Sequence, residues 1–126
     1  MKMPDGFGAI TPYLFVDKAS EYVDFLKAAF NAEELSRTMR GERVTNACLS
    51  INEARLFISD VTDDYPAMTT SIYLYVEDAD TSIAQAVSAG GQCEMQATDE
   101  PWGDRTGGIR DQWGNIWWIS QHLGLG

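Results

Sequence analysis

The sequence YLFVDKASEYVDFLKAAFNAEE, at residues 13–34, recurs in altered form as YLYVEDADTSIAQAVSAGGQCE at residues 73–94. The two stretches align without a gap at an offset of 60, and a second pair, LFIS at 56–59 and WWIS at 117–120, follows at an offset of 61. Two copies of one unit predict a pseudo-twofold fold whose functional cavity lies where the copies face each other. Two copies are too few for a solenoid, which needs about three repeats or more.

The first copy has the pattern of a strand, a helix and three strands. Residues 9–16 are rich in β-forming side chains, and Asp17 is a candidate N-cap for the helix that follows. Apolar residues then recur at helical spacing and predict one buried stripe, made of Ala19, Tyr22, Val23, Leu26 and Phe30. Three short strands complete the copy, at residues 33–39, 44–51 and 54–60, with turns at 40–42 and 52–53.

The second copy follows a loop at residues 61–69 and repeats this order. Its first strand, at 70–76, leads to a helix that begins near Asp78 and ends at Gly90-Gly91, because glycine readily adopts positive φ. The inward face of this helix is predicted to be Ala79, Ile83, Ala86 and Val87. The other strands are expected at 92–97, 105–111 and 115–121, with a loop at 98–104, a bulge at Gly107-Gly108 and a hairpin turn at 111–115. We therefore expect a single α+β domain over residues 1–126, made of a module at 8–60 and a module at 70–121.

Size, composition and charge narrow the functional classes. A chain of 126 residues with 44% hydrophobic content fits one compact domain. It has no apolar run near the roughly 20 residues that cross a bilayer, and its first residues lack the apolar core of a signal peptide, so we expect a cytoplasmic protein without membrane contact. The net charge of −10 disfavours nucleic acid and favours either cationic ligands or plain solubility. Cys48 and Cys93 have no CxxC partner and are expected to be two reduced, half-buried thiols rather than a disulfide.

Three stretches resemble the vicinal oxygen chelate superfamily, which includes glyoxalase I, extradiol dioxygenases, fosfomycin resistance enzymes and bleomycin resistance proteins. They are PYLFV near the start, the helix around Tyr22-Val23-Asp24-Phe25, and WGDRTGGIRDQWGNIWWISQH at 102–122, which is the most specific. The resemblance is greatest to the PhnB-like branch, although Gln112 stands where such sequences usually carry Pro. It implies two βαβββ modules with curled mixed sheets around a central cavity, and a homodimer.

The resemblance also indicates where a metal would be bound. Metal-dependent members take one ligand from the first strand and one from the last strand of each module, usually His or Gln and then Glu. The equivalent positions here are Thr11, Phe57, Ser71 and Trp118. Hydroxyls and aromatic rings are not ligands for a divalent transition metal, so no metal and no cofactor are expected. His122 is the only histidine and is expected to be exposed or locally hydrogen-bonded, and the acids Asp99, Glu100 and Asp104 lack the spacing of a calcium loop.

Strand alternation predicts what lines the cavity instead. If Thr11 and Ser71 face inward, the rings on the same faces are Tyr13, Phe15, Tyr73 and Tyr75, with Phe57 and Trp118 approaching each other across the pseudo-twofold axis. Such rings stack on planar groups and attract cations. The alternative is that the rings fill the cavity themselves.

The loop before the seventh strand offers two further candidates. Trp102 is placed to cap the cavity mouth. Arg105 either grips a ligand carboxylate or phosphate, or is held by Asp104 or another acid to order the loop.

Three functions remain open from the residues. The first is a metal-free protein that binds a planar, cationic small molecule through Tyr13, Phe15, Phe57, Tyr73, Tyr75, Trp102, Arg105 and Trp118. The second is a lyase or dioxygenase-type enzyme of the same superfamily that works without a metal or with one bound elsewhere, with Tyr13, Tyr73 and Glu94 as candidate acids or bases. The third is a dimeric scaffold with a filled cavity. No Ser-His-Asp triad and no P-loop motif is found in the sequence.

Overall fold

A computed structural model describes residues 1–124 of the chain. The elements follow the order β-α-β-β-β twice. The first set is β1 Tyr13–Val16, α1 Ala19–Phe30, β2 Glu33–Arg40, β3 Arg43–Ile51 and β4 Ala54–Asp60. The second set is β5 Ser71–Tyr75, α2 Ala79–Ser88, β6 Gln92–Asp99, β7 Asp104–Arg110 and β8 Ile116–His122.

The strands form two four-stranded mixed sheets with the same topology. The strand orders are β1-β4-β3-β2 and β5-β8-β7-β6, and neither sheet closes into a barrel. The first strand of each sheet pairs in parallel with the last, and the other pairs are antiparallel. The internal repeat and the α+β fold class are thus confirmed. Two compact units result, one of Met1–Lys27 and Asn31–Met68, the other of Ala28–Phe30 and the chain from Thr69 onward.

Helix α1 has the predicted buried stripe but not the predicted cap. All five residues of the stripe are 6% exposed or less. The N-cap residue is Lys18, in the left-handed conformation and without a side-chain cap, so the prediction for Asp17 was wrong. The carboxylate of Asp60 replaces the cap, because its Oδ1 accepts from the backbone N–H of Ala19 at 2.8 Å and its Oδ2 accepts from Val44.

Helix α2 begins and ends where the sequence predicted. Asp78 is the N-cap and accepts from the backbone N–H of Thr81 at 2.9 Å. Gly90 has a φ of 118°, and the N–H of Gly91 returns to the carbonyl of Ala86. Val87 is exposed, so its assignment to the inward face was wrong. Within residues 1–124, no helix is long and apolar enough to span a membrane.

Most strand boundaries agree with the sequence prediction to within one or two residues, and β1 is the exception. It starts at Tyr13, four residues later than predicted. Pro12 has no N–H for the ladder, and only its carbonyl takes part, accepting from the N–H of Phe57. Thr11 therefore lies ahead of the strand, and strand alternation does not determine which way its side chain faces. The loop predicted at 98–104 is also shorter, because β6 extends to Asp99 and β7 begins at Asp104.

The turn between β7 and β8 fixes these strands against β5. The buried carboxylate of Asp111 accepts from the backbone N–H groups of Trp113 and Asn115 and from the indole of Trp117. The Asn115 side chain accepts in turn from the backbone N–H of Thr70, just before β5. These bonds set the register in which β5 and β8 present their side chains.

The predicted bulge lies opposite the glycines rather than at them. The register between β6 and β7 shifts around Met95, which faces Gly108. A Cβ on Gly107 would lie 2.4 Å from the Ile83 side chain and 2.9 Å from the Met95 carbonyl. Gly107 therefore lets α2 pack closely on the sheet.

Candidate functional site

Three aromatic side chains share one face of the second sheet, which we name the second aromatic face. They are Tyr73 and Tyr75 on β5 and Trp118 on β8, with Tyr73 directly opposite Trp118 in the strand pairing. Leu74 and Ile119 alternate with them and are buried on the other side. Tyr73 and Tyr75 are 42% and 53% exposed, so their rings are accessible to a ligand.

A buried carboxylate lies beneath the two tyrosines. Asp104, the first residue of β7, is 2% exposed. Its Oδ2 accepts from the hydroxyl of Tyr73 at 2.6 Å and from that of Tyr75 at 2.8 Å. Its Oδ1 lies 2.9 Å from Nδ1 of His122. Two phenols and an imidazole thus converge on one acid.

Hydroxyl groups extend this network along the face. The Thr106 Oγ1 lies 3.1 Å from the hydroxyl of Tyr73 and 3.0 Å from the Oγ of Ser120. Thr106 and Ser120 are buried and lie opposite each other in the β7–β8 pairing. Each buried polar atom of the network therefore has a partner, which makes the arrangement rigid.

The network changes the acidity of its members. The hydrogen bond from Tyr73, followed by that from His122, holds the pKa of Asp104 below the ordinary aspartate value. The hydrogen bond to Asp104 raises the pKa of Tyr75, because the neighbouring carboxylate disfavours a phenolate. The Asp104 carboxylate is therefore stabilised as an anion, and the Tyr75 phenol is stabilised in its protonated form.

Trp118 lies over a glycine. A Cβ on Gly108 would come within 3.0 Å and 3.2 Å of two carbon atoms of the Trp118 six-membered ring. The indole therefore packs against the bare backbone of β7. Its Nε1–H donates to the Oγ of Ser71 at 2.9 Å, which fixes the orientation of the ring.

Trp102 and Arg105 lie on different sides of the second sheet. Trp102 is 58% exposed, and its Nε1–H donates to the hydroxyl of Tyr73 at 3.1 Å, so it borders the second aromatic face. Arg105 alternates with Asp104 and turns towards α2. Its guanidinium binds both carboxylate oxygens of Asp80, at 2.8 and 3.2 Å, and Asp99 at 3.0 Å.

These contacts favour the structural role of the two considered for Arg105. The hydrogen bonds to Asp80, and then those to Asp99, raise its pKa above the ordinary arginine value. The acids that hold Arg105 are Asp80 and Asp99, and Asp104 is not among them. Arg105 is thus held on the helix side, opposite to the rings.

The first sheet has an aromatic face of its own, made of Tyr13, Phe15 and Phe57, which we name the first aromatic face. Tyr13 stacks on Phe15 at a centroid distance of 4.9 Å and lies 5.8 Å from Phe57. Two rings that the sequence analysis did not include join them: Phe7 lies 5.7 Å from Phe57, and Tyr65 lies 5.8 Å from Phe15. The buried acids among residues 1–124 are Asp104 and Asp111, and neither belongs to the first sheet.

The positions equivalent to metal ligands do not fit a metal. Ser71 and Trp118 are hydrogen-bonded to each other, and an indole N–H is a donor only. Phe57 offers only ring carbons, and Thr11 precedes its strand. Among residues 1–124, no group of three or more His, Cys, Asp or Glu side chains is placed to hold a metal ion.

The position of Asp104, at the centre of the cluster, was not predicted. Asp104 was expected at the end of the loop at 98–104, whereas it is buried at the start of β7. The available indication was the alternation of Asp104, Thr106 and Gly108, which would have placed all three on one face had β7 been started one residue earlier. His122 was expected to be exposed or locally hydrogen-bonded; its side chain is 56% exposed, and its partner Asp104 lies 18 residues away in the chain.

The two cysteines are free thiols, as expected, but neither is half-buried. Cys48 is buried on β3 and Cys93 is exposed on β6. Burial raises the pKa of the Cys48 thiol, which keeps it protonated and unreactive.

Comparison with known proteins supports a family assignment. The uncharacterised protein Rv0887c of Mycobacterium tuberculosis is 31% identical over 128 residues, which cover 90% of this chain and 74% of that protein. An Arabidopsis thaliana gene product of known structure is 24% identical, with a TM-score of 0.72 over 90% of this chain and 98% of its own. The PhnB protein of Bacillus cereus is 21% identical, with a TM-score of 0.63 over 90% of this chain and 99% of its own.

The two solved structures show a common fold. The model of the Glyoxalase/Bleomycin resistance protein/Dioxygenase superfamily matches residues 6–119, nearly the whole chain. The family predicted from the residues is therefore confirmed, and this chain belongs to the Glyoxalase/Bleomycin resistance protein/Dioxygenase superfamily.

Proposed function

We propose that this protein binds a planar, positively charged small molecule on the second aromatic face, without a metal ion. The observation that carries the proposal is the position of Asp104, a carboxylate 2% exposed beneath two accessible tyrosine rings. A buried anion under stacking surfaces favours a ligand that is both flat and cationic.

The rings themselves contribute to this preference. A phenol that donates to a carboxylate is polarised, and its ring face becomes more negative. Tyr73 and Tyr75 both donate to Asp104, and their centroids lie 5.4 Å apart in an edge-on arrangement. A cation over an aromatic face gains about 0.5–2 kcal/mol, depending on how far it is desolvated.

Trp118 and Trp102 extend the stacking surface. Trp118 packs against Gly108 with its N–H directed to Ser71. Trp102 is tied to the Tyr73 hydroxyl at the border. We propose that Tyr13, Phe15 and Phe57 of the first aromatic face form a separate stacking surface for apolar parts of ligands.

The net charge of −10 also favours cationic ligands. Its field favours the approach of cations and disfavours anions. The proposed ligands are thus protonated or quaternary aromatic heterocycles rather than phosphates, carboxylates or nucleic acids.

A metal-dependent enzyme of the superfamily would hold its metal at the ligand-equivalent positions. The donor chemistry of Phe57, Ser71 and Trp118 supports binding without one. Stoichiometric zinc, nickel, manganese or iron in protein purified without chelators would favour the lyase or dioxygenase class and overturn the proposal.

Tryptophan fluorescence tests the proposal. The protein is titrated with a panel of planar cations, and with neutral and anionic polycyclic molecules of similar size as controls. We expect saturable quenching by cations only, weakened in Trp118→Ala and Tyr73→Ala. Equal quenching by all three classes, or none, would contradict the proposal.

A further inference from the structure

The single histidine of the chain lies at the border of the second aromatic face. His122 is the last residue of β8 and lies opposite Asp104 in the β7–β8 pairing. Its imidazole meets the Tyr75 ring edge-on, at a centroid distance of 6.3 Å. The side chain is 56% exposed, whereas that of Asp104 is 2% exposed. One side of the imidazole is thus fixed on a buried acid, and the other is accessible.

The contact with Asp104 determines where the imidazole carries its proton. Asp104 accepts hydrogen bonds from the hydroxyls of Tyr73 and Tyr75 as a carboxylate, so it has no proton to donate. Its contact of 2.9 Å with His122 therefore requires Nδ1 to be the donor. In the neutral imidazole, Nε2 then has an unshared electron pair and no hydrogen.

This lone pair is directed away from the acid. Nδ1 and Nε2 diverge across the five-membered ring, so an imidazole that turns Nδ1 to a buried carboxylate turns Nε2 to the exposed side. The result is a fixed hydrogen-bond acceptor beside the Tyr75 ring.

We propose that His122 Nε2 selects planar cations that carry an N–H group, such as protonated amino-heterocycles and aryl amidinium ions, over quaternary cations without one. This inference rests on the proposed function, since it specifies the ligand class of the same face. An N–H of the cation donates to Nε2, while a quaternary cation of the same shape has only ring contacts. A hydrogen bond from a charged donor corresponds to roughly a tenfold preference.

The tautomer is tested in the free protein by nitrogen NMR. Because the chain has one histidine, the long-range ¹⁵N–¹H spectrum of its imidazole contains a single spin system. At a pH where the imidazole is neutral, we expect the proton on Nδ1 and the unprotonated nitrogen shift on Nε2. A proton on Nε2 would overturn the proposal, whatever binds.

The selectivity is tested by calorimetry with two probes, proflavine, which has N–H donors, and N-methylacridinium, which has none. The wild-type protein is expected to bind proflavine about tenfold more tightly. His122→Phe should lose this preference, and His122→Gln should keep part of it through its carbonyl oxygen.

The outcomes separate this inference from the proposed function. If the wild-type protein binds both probes equally, His122 does not select the ligand, and the proposed function stands. If it binds neither probe, both ideas fail. If His122→Phe does not fold, the preference of the wild-type protein between the two probes and the tautomer of its imidazole still test whether His122 selects the ligand.

Discussion

The Nε1–H of Trp118 donates to the Oγ of Ser71 across 2.9 Å. In metal-dependent members of the superfamily, the positions of these two residues supply metal ligands from the first and last strands of one module. Here the two side chains satisfy each other, and the indole covers Gly108. This corner of the second module thus holds an oriented indole.

Removing the indole should weaken ligand binding more than removing its N–H. Trp118→Ala loses the stacking surface, so we expect the affinity for a planar cation to fall roughly tenfold. Trp118→Phe keeps a ring over Gly108 and should lose about threefold or less. Calorimetric titration of the two variants measures the difference, and equal losses would indicate that the ring does not stack on the ligand.

A methyl group on Gly108 should displace Trp118. A Cβ there would lie 3.0–3.2 Å from two ring atoms of Trp118. We expect Gly108→Ala to destabilise the protein by about 1 kcal/mol and to weaken planar-cation binding, because the indole must shift. The matched control is Gly8→Ala, whose Cβ would meet nothing closer than a carbonyl oxygen at 3.8 Å. Urea denaturation and binding of both variants check this, and a Gly108→Ala protein identical to the wild type would show that the ring has free space.

Asp104 should make stability sensitive to acid. The pKa of Asp104 is lower in the folded protein than its ordinary value, because Tyr73 and His122 hydrogen-bond to the carboxylate. The folded state therefore gains stability above the unfolded-state pKa of about 4 and loses it as the pH falls towards the folded-state pKa. We expect the urea midpoint of the wild type to fall more steeply below about pH 4 than that of Asp104→Asn. Parallel curves would mean that this carboxylate is not held as an anion by its neighbours.

Replacing Arg105 should affect the stability of the protein slightly and should not affect its affinity for the ligand. Its guanidinium is bound by Asp80 and Asp99 on the helix side of the second sheet. These are exposed ion pairs, so Arg105→Gln should lower the urea midpoint only slightly. Its affinity for a planar cation should stay within about twofold of the wild-type value. A tenfold loss in calorimetry would show that Arg105 reaches the ligand.

The fold was predictable because its determinants are local. Each copy carries its own helical stripe and turn residues, and the offset of 60 relates them without any knowledge of packing. Asp78 caps α2 from within its own segment. The cap of α1 was mispredicted because Asp60, which lies 41 residues from Ala19, takes that role. A contact of this kind depends on strand pairing and leaves no periodic pattern.

Of the candidate site, only the aromatic residues were predicted from the sequence. Alternation along β5 and β8 placed Tyr73, Tyr75 and Trp118 together. The Asp104–His122 contact joins the start of one strand to the end of the next, so it depends on the register and on a strand boundary that composition does not define. The role of Arg105 was ambiguous for the same reason. A shift of the strand boundary or register by one residue moves a side chain to the other side of the sheet.

The most direct test of a metal-free cation site is calorimetric titration of chelator-treated protein, shown by elemental analysis to contain no transition metal, with proflavine. Saturable binding of one proflavine per chain is expected, with an affinity that is unchanged when zinc, nickel or manganese is added back and that falls in Trp118→Ala. Binding that appears only after a metal is restored, or no binding in either state, would contradict the account.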